Sequence, residues 1–485
     1  MTRKRVTRMI PAVTKIVGED RVTSKSEILE DYSGLNSPAL VVWPKSTDEV
    51  AKIVEWANSN SVALVPVSSG GPRRRGSSTP KVDNAVIVDL SRMNKIIRVD
   101  TKNKVAMFEP GVTFEQLIPE LKKKGLRPLM PLLPKASKSV LASCLDREPT
   151  TIPRFHWDIS DPLLCTETVF GSGETLRTGS AAGPGTIEEQ WASGQAQKNP
   201  QGPSQFDPFR IIQGSQGTIG ITTWISMKCE LLPDVHEIYL TGVEELGQLE
   251  AFNYALLKRR LVDEHFLLNS VSLSAALGSK RKTPNWVLVL GVSGHGILAQ
   301  EELEYRTEDT MDIAEEMNLK LTRSLGDIKA DEVKSLLNRS SSASYWKYSP
   351  RGSCSEVFFT TTLDQVAEMH SVFLEVADEV GVPKEQIGVY VQPVVQGVNT
   401  HCAFDIHYDP DSGEEVESVS ALLDKGQHRL LDEGAFFSRP HGIITDLVFE
   451  KTTPEMVEAI QSVKKIFDPK NVLNPGTLCF KEVPK

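Results

Sequence analysis

Apolar residues fall in short blocks along this chain, and the spacing within each block decides what it can form. Val50, Ile53, Val54 and Ala57 recur at helical spacing behind Ser46 and Thr47. The pattern over residues 39–56 therefore predicts a short strand ending at Pro44 and a helix N-capped by Ser46 or Thr47. Residues 62–67 and 85–90 are apolar runs of strand length, and residues 96–99 with 105–109 alternate as a hairpin would. Another helix opens after Gly111, with Thr113 as its N-cap. Small β–α–β units followed by antiparallel strands predict an α+β domain rather than a doubly wound sheet.

Beyond Pro233 the pattern changes. Helices are predicted at 246–261, 301–318, 363–380 and 416–433, and strands at 286–292, 388–393 and 402–408, which together make a second α+β unit. A last helix is expected over 454–467. Residues 180–209 are rich in Gly, Pro, Ser and Gln and keep no period, as in a long functional loop. No internal repeat is visible.

The length of 485 residues favours two domains over one core. A net charge of −10 argues against a nucleic-acid partner. No apolar run approaches the roughly 20 residues that span a bilayer. The N-terminal stretch is basic but has neither the apolar centre nor the cleavage site of a secretory signal. Cys144, Cys165, Cys229, Cys354, Cys402 and Cys479 form no C-x-x-C pair, so a zinc ribbon or chain-borne iron–sulfur cluster is excluded and no metal is expected. They read as reduced thiols, and the cytoplasm is the expected compartment.

The most informative stretch is residues 210–223. Gly214, Gly217 and Gly220 are interleaved with Ser215 and Thr218, and Ile219, Ile221, Thr222, Thr223 and Trp224 read as the strand that follows. A backbone of this kind can cradle a pyrophosphate or a flat heterocycle, or can simply turn tightly. It is one of four features in a fixed order. A strand and glycine turn at 66–76 and an irregular run at 139–161 precede it, and Asn474-Pro475-Gly476 closes the series. With the blocks at 40–50, 167–179 and 467–476, these features resemble the vanillyl-alcohol-oxidase/p-cresol-methylhydroxylase family of FAD flavoproteins over essentially the whole chain.

The resemblance implies an α+β fold with a two-part FAD-binding domain of the p-cresol-methylhydroxylase (PCMH) type, from residues 1–235 and 441–485. A substrate-binding α+β cap would occupy residues 236–440. It also implies that Pro66, Ser68, Ser69, Gly70, Gly71 and Pro72 supply the turn around the pyrophosphate. Ser68 and Ser69 stand where relatives carry glycine, and the turn has no flavin-linking histidine. Arg73, Arg74 and Arg75 either meet the diphosphate charge or are simply solvated. Ser143, Asp146, Gly214, Gly217, Thr218, Ile219, Gly220, Ile221 and Asn474 complete the implied cofactor site.

For the chemistry, the run around Leu145-Asp146-Arg147 resembles the aryl-alcohol branch, which places an acidic residue near the reactive flavin N5. Either Asp158 or His156 fills that place here, or caps a surface turn. His401 matches a region from which some relatives attach FAD covalently, although a strand histidine is equally explained by a hydrogen bond. His407 lies on the same strand and shares that explanation. Arg439 matches the arginine of a Tyr-Arg pair that holds a phenolate, but Ser438 replaces the tyrosine, which leaves a carboxylate open. Tyr345, Trp346 and Tyr348 either line a pocket for a planar substrate or pack a core.

The function implied is hydride transfer from an aromatic alcohol or alkylphenol to flavin N5. The alternatives are a D-2-hydroxyacid dehydrogenase of the glycolate/D-lactate type, or a non-catalytic flavin subunit of an electron-transfer complex. Without cluster ligands or a haem motif, electrons would pass to dioxygen or to a separate acceptor protein. The resemblance further implies a small-molecule substrate and a homodimer or other homo-oligomer.

Overall fold

The computed structural model describes residues 2–34, 36–71, 78–154, 162–193, 208–341 and 345–481. Strands β1 (Val22–Thr23), β2 (Leu40–Val42), β3 (Leu64–Val67) and β4 (Val86–Asp89) form a sheet in the order β1-β2-β4-β3, with β2, β4 and β3 parallel. Helix Thr47–Asn60 covers one face. Ser46 caps it by accepting from the Glu49 N–H at 3.2 Å, and Val50, Ile53, Val54 and Ala57 are the buried stripe that the spacing predicts.

A second, antiparallel sheet runs β5 (Ile96–Asp100), β6 (Val105–Phe108), β10 (Gly220–Leu231), β8 (Leu163–Phe170) and β9 (Thr175–Arg177), with β7 (Leu126–Pro128) beside β10. Strand β10 leaves the glycine loop directly. Helix Phe114–Lys122 packs on this sheet, and Thr113 forms a capping box with Gln116. Residues 180–209 are not all loop. Helix Ile187–Ala192 forms within them because Thr186 and Glu189 cap each other reciprocally. Residues 194–207 lie outside the described chain.

The third sheet is built from later sequence: β11 (Val235–Val243), β12 (His265–Asn269), β13 (Trp286–Gly294), β16 (Ser353–Thr361), β17 (Ile387–Val394) and β18 (Asn399–Tyr408). A small hairpin of β14 (Ser324–Leu325) and β15 (Ile328–Lys329) lies apart from it. The strand order is β11-β13-β12-β17-β18-β16, all antiparallel. One face carries Leu288, Leu290, Val357, Phe359, Val389, Val391, Cys402, Phe404 and Ile406 into the largest core, beneath helices Glu250–Arg259, Val366–Glu379 and Gly413–Asp432.

The other face of that sheet divides in two. Across β11, β13 and β12 it is apolar and covered by helices Ser270–Leu277 and Ala330–Leu337. Across β17, β18 and β16 the alternate positions bring in Gln392, His401, Asp405, His407, Glu356 and Thr360, beside Tyr390, Phe358 and Ala403 of the apolar cluster. Side chains alternate between faces with a period of two, so these polar residues share the side opposite the core. Buried polar groups of this kind must be hydrogen-bonded or paired.

The C-terminal segment returns to the first sheet. Leu473 bridges Leu64 in parallel, and the Asn474 N–H donates to the Leu64 carbonyl at 2.8 Å. Helix Pro454–Phe467 supplies Lys464, which is buried and donates to the carbonyls of Thr218 (2.5 Å) and Leu473 (2.9 Å) and to Asp468 Oδ2 (2.5 Å). Among the described residues no helix is long and apolar enough to cross a membrane. None of the six cysteines forms a disulfide among the described residues.

Candidate functional site

A cleft with an interior volume of about 310 Å³, partly open to solvent, runs between the first two sheets and the polar half-face of the third. One end is formed where β3 runs out. Pro66, Ser68, Ser69 and Gly70 line it together with Ser78, Lys135 and Lys138. The turn is fastened from outside, since Ser69 Oγ accepts from the Ser139 N–H at 3.0 Å and the Gly70 N–H donates to the Ser137 carbonyl at 3.0 Å. Lys135 Nζ donates to the carbonyls of Gly70 (3.0 Å) and Gly71, which sets a cation at the turn.

The glycine loop forms the middle of the wall through Ser215, Gln216, Gly217, Gly220, Ile221 and Thr222. Gly217 has φ +71°, and a Cβ there would meet Pro66 Cγ at 2.6 Å. It is therefore glycine because two protein walls touch at that point. Asn474 Nδ2 donates to the Gln216 carbonyl at 2.8 Å, and Gln216 Nε2 donates to the Pro440 carbonyl at 2.9 Å. Those two bonds tie the loop to the C-terminal segment and to the neighbour of Arg439.

The far end of the cleft is aromatic and charged. Tyr345, Trp346, Lys347, Glu356, Phe358, Tyr390, His401 and Arg439 line it. The Arg439 guanidinium lies 4.5 Å over the Phe358 ring, a placement favourable to a cation. The His401 ring is 6.1 Å from Phe358 and 6.3 Å from Tyr390. Tyr390 Oη donates to Gln392 Oε1 at 2.6 Å, and Trp346 Nε1 donates to the Leu133 carbonyl at 3.1 Å. Burial works to lower the Lys347 ammonium, but Asp405 and Glu356 more than offset it and hold it well above the ordinary lysine range.

Of the residues singled out from the sequence, Pro66, Ser68, Ser69, Gly70, Asp146, Gly217, Gly220, Ile221, His401 and Arg439 share this one cleft. Several others stand behind its wall. Thr218 donates to the Ser215 carbonyl, the Gly214 N–H donates to Leu145, Ile219 packs with Phe170 and Ile212, and Ser143 Oγ donates to Glu148. Gly71 and Asn474 act on the wall through Lys135 and Gln216. Pro72, Arg73, Arg74, Arg75, His156 and Asp158 lie outside the described residues.

The aromatic cluster serves both readings given for it. Tyr345 and Trp346 line the cleft, and Trp346 is also part of the apolar packing under the third sheet. Sequence reasoning missed Lys135, Lys347, Glu356, Tyr390 and Asp405. One signal was available, because residues 401–407 read His-Cys-Ala-Phe-Asp-Ile-His, with polar residues at alternate positions of an otherwise apolar strand. Among the described residues no group of three or more His, Cys, Asp or Glu is placed to hold a metal ion.

The donor set fits a long ligand with a phosphate-rich end and a flat end. Hydroxyls and the two lysines stand at the turn, with apolar and aromatic groups beyond the glycine loop. Residues 38–179 match the family model of an FAD binding domain, and residues 260–478 match that of the C-terminal domain of FAD linked oxidases. The chain is 22% identical to a D-lactate dehydrogenase of Anaerostipes hadrus, over 96% of each protein. It is equally 22% identical to the flavoprotein subunit of 4-cresol dehydrogenase (hydroxylating) of Pseudomonas putida, over 95% of this chain and 93% of that one. The solved 4-ethylphenol oxidase from Gulosibacter chungangensis, in an isoeugenol complex, superposes with a TM-score of 0.84 at 18% identity, over 99% and 98% of the two chains.

Proposed function

Because the chain belongs to the PCMH-type family of FAD-linked oxidoreductases, we propose that it oxidises an aromatic alcohol or alkylphenol whose oxyanion is held by Arg439. FAD, when bound, accepts the hydride taken from the substrate carbon. The residues to hold it are Ser68, Ser69 and Gly70, with Lys135 as counter-charge at the diphosphate and Gly217 to Ile221 along the ring system. His401 belongs to the same wall, as a hydrogen-bonding or flavin-linking group. Asp158 and His156 remain the candidates for the edge of the ring.

The observation that carries the substrate reading is the Arg439 guanidinium lying on Phe358 within an aromatic-walled cleft. A planar fork beside aromatic faces binds an oxyanion through paired N–H donors while the ring packs alongside. Fixing the oxyanion orients the benzylic carbon, and the aromatic walls exclude water from it. A second reading, oxidation of a 2-hydroxyacid, is favoured by the similarity to D-lactate dehydrogenase and by the fact that the same fork suits a carboxylate.

Arg439→Ala separates these readings. With 4-hydroxybenzyl alcohol as substrate, KM should rise about 10–100-fold, the worth of a charge-assisted hydrogen bond. With 4-methoxybenzyl alcohol, which cannot form a phenolate, KM should hardly move. An equal effect on both alcohols would remove Arg439 from oxyanion binding, and turnover of D-lactate alone would favour the hydroxyacid reading.

A further inference from the structure

Strand β17 carries one position where the sheet ladder lacks a donor. Pro393 has no N–H, and the β12–β17 register, with Leu267 opposite Val391, brings it opposite His265. The Gln392 side chain supplies what the proline lacks. Its Nε2 donates to the His265 carbonyl at 2.9 Å and to the Pro393 carbonyl at 2.9 Å. Both protons of the amide nitrogen are spent on oxygens that can only accept. The amide therefore has one orientation, with Oε1 facing the other way.

Tyr390 stands two positions earlier on the same face of β17, and its Oη donates to that Oε1 at 2.6 Å. An amide oxygen has no proton to return, so the phenolic proton is committed to Gln392. What remains on Tyr390 Oη is lone-pair capacity. Burial pushes the phenol far above the ordinary tyrosine range, against the pull of Lys347, so the proton stays on the oxygen at physiological pH. Gln392 is wholly buried, whereas Tyr390 lines the cleft beside His401 and Ala403. To a ligand in the cleft Tyr390 therefore offers an acceptor, while Arg439, a guanidinium, offers only donors.

Resting on the alcohol-oxidation reading above, we propose that Tyr390 accepts a hydrogen bond from the substrate hydroxyl and that Gln392, a positioning residue, fixes this polarity. An alcohol brings an O–H to the Tyr390 oxygen. The carbonyl product brings only lone pairs, which face the lone pairs already there. A site built to pair with a hydroxyl rejects the analogue without one, because a polar atom is then left unpaired. The cleft thus holds the alcohol and lets the oxidised product go. The same polarity separates a 2-hydroxyacid from its 2-oxoacid, so the role of Tyr390 is common to both substrate readings.

The test reads binding to the FAD-loaded full chain through the flavin difference spectrum, with ligands that cannot turn over. The tertiary alcohol 2-(4-hydroxyphenyl)propan-2-ol keeps the hydroxyl but has no carbinol C–H, and 4-hydroxybenzaldehyde is already oxidised. Tyr390→Phe should raise the Kd of the alcohol about 3–10-fold, the worth of one neutral hydrogen bond, and leave that of the aldehyde unchanged. Gln392→Met frees the phenolic proton, so the aldehyde should bind about 3–10-fold more tightly than it does to the wild type. FAD affinity in Tyr390→Phe should stay that of the wild type. An aldehyde weakened as much as the alcohol by Tyr390→Phe overturns the proposal, as do two unchanged constants. Failure of both aromatic ligands to bind the wild type would instead strike the aromatic reading, and 2-hydroxyisobutyrate against pyruvate then decides the polarity. Loss of the hydroxyacid alone in Tyr390→Phe keeps the proposal, and any other pattern ends it.

Discussion

Gly217→Val should yield a protein that folds but purifies without FAD. The residue sits at φ +71°, and an added Cβ would lie 2.6 Å from Pro66 Cγ. A β-branched side chain in left-handed backbone costs roughly 1–3 kcal/mol. The contact with a proline ring, which cannot rotate away, adds to that. The strain is relieved only if the glycine loop separates from the end of β3, and those are the two walls that meet at this point of the cleft. We expect FAD affinity to fall at least about 100-fold, equivalent to roughly 2.7 kcal/mol, with the far-ultraviolet circular dichroism unchanged. Gly214→Ala is the matched control, since no atom lies within 4 Å of its added Cβ. That control should lose much less affinity, and flavin titration of both variants checks the pair.

Arg127→Met should produce the largest loss of stability. Arg127 of β7 and Glu264, which precedes β12, join the second sheet to the third through a contact of 2.6 Å, and His236 Nε2 stands 3.0 Å from the other carboxylate oxygen. Both members of the ion pair are almost wholly buried. Burial pushes the Glu264 carboxyl up, but Arg127 and His236 more than offset it and hold the group well below the ordinary glutamate range. Removing the guanidinium leaves a buried carboxylate poorly compensated, at a cost of about 3–5 kcal/mol.

The pH dependence has a definite sign. A depressed folded-state value contributes stability that is complete above the unfolded glutamate pKa of about 4.3 and declines as pH falls toward the folded value. The stability gap between wild type and variant should therefore be full at neutral pH and narrow below about pH 4. Urea unfolding at both pH values measures it, and a gap that widens on acidification would contradict this assignment.

Local rules made much of the first two sheets readable. Helix Thr47–Asn60, its Ser46 cap and the 96–108 hairpin follow from spacing and turn chemistry within a few residues, and so does helix Pro454–Phe467. The short helix Ile187–Ala192 was missed although Thr186-x-x-Glu189 is itself a capping signal, because the surrounding Gly and Pro obscured a stripe only two turns long. The site was less legible. Glu356 and Asp405 become partners through strand register across 49 positions of chain, and Lys347 reaches them from a loop that carries no period. The role of Gly217 was visible as a turn, but its contact with Pro66 depends on two sheets being brought together. Arg439 and His401 were found because a family pattern pointed to them. Their shared cleft with Lys347 arises from tertiary packing.

The central claim is that this cleft oxidises an aromatic alcohol on FAD, and anaerobic mixing of the FAD-loaded protein with 4-hydroxybenzyl alcohol tests it most directly. The oxidised-flavin absorbance should bleach to the level that dithionite produces, with one equivalent of aldehyde formed per flavin. Flavin that stays yellow with the alcohol yet bleaches with dithionite would contradict the account.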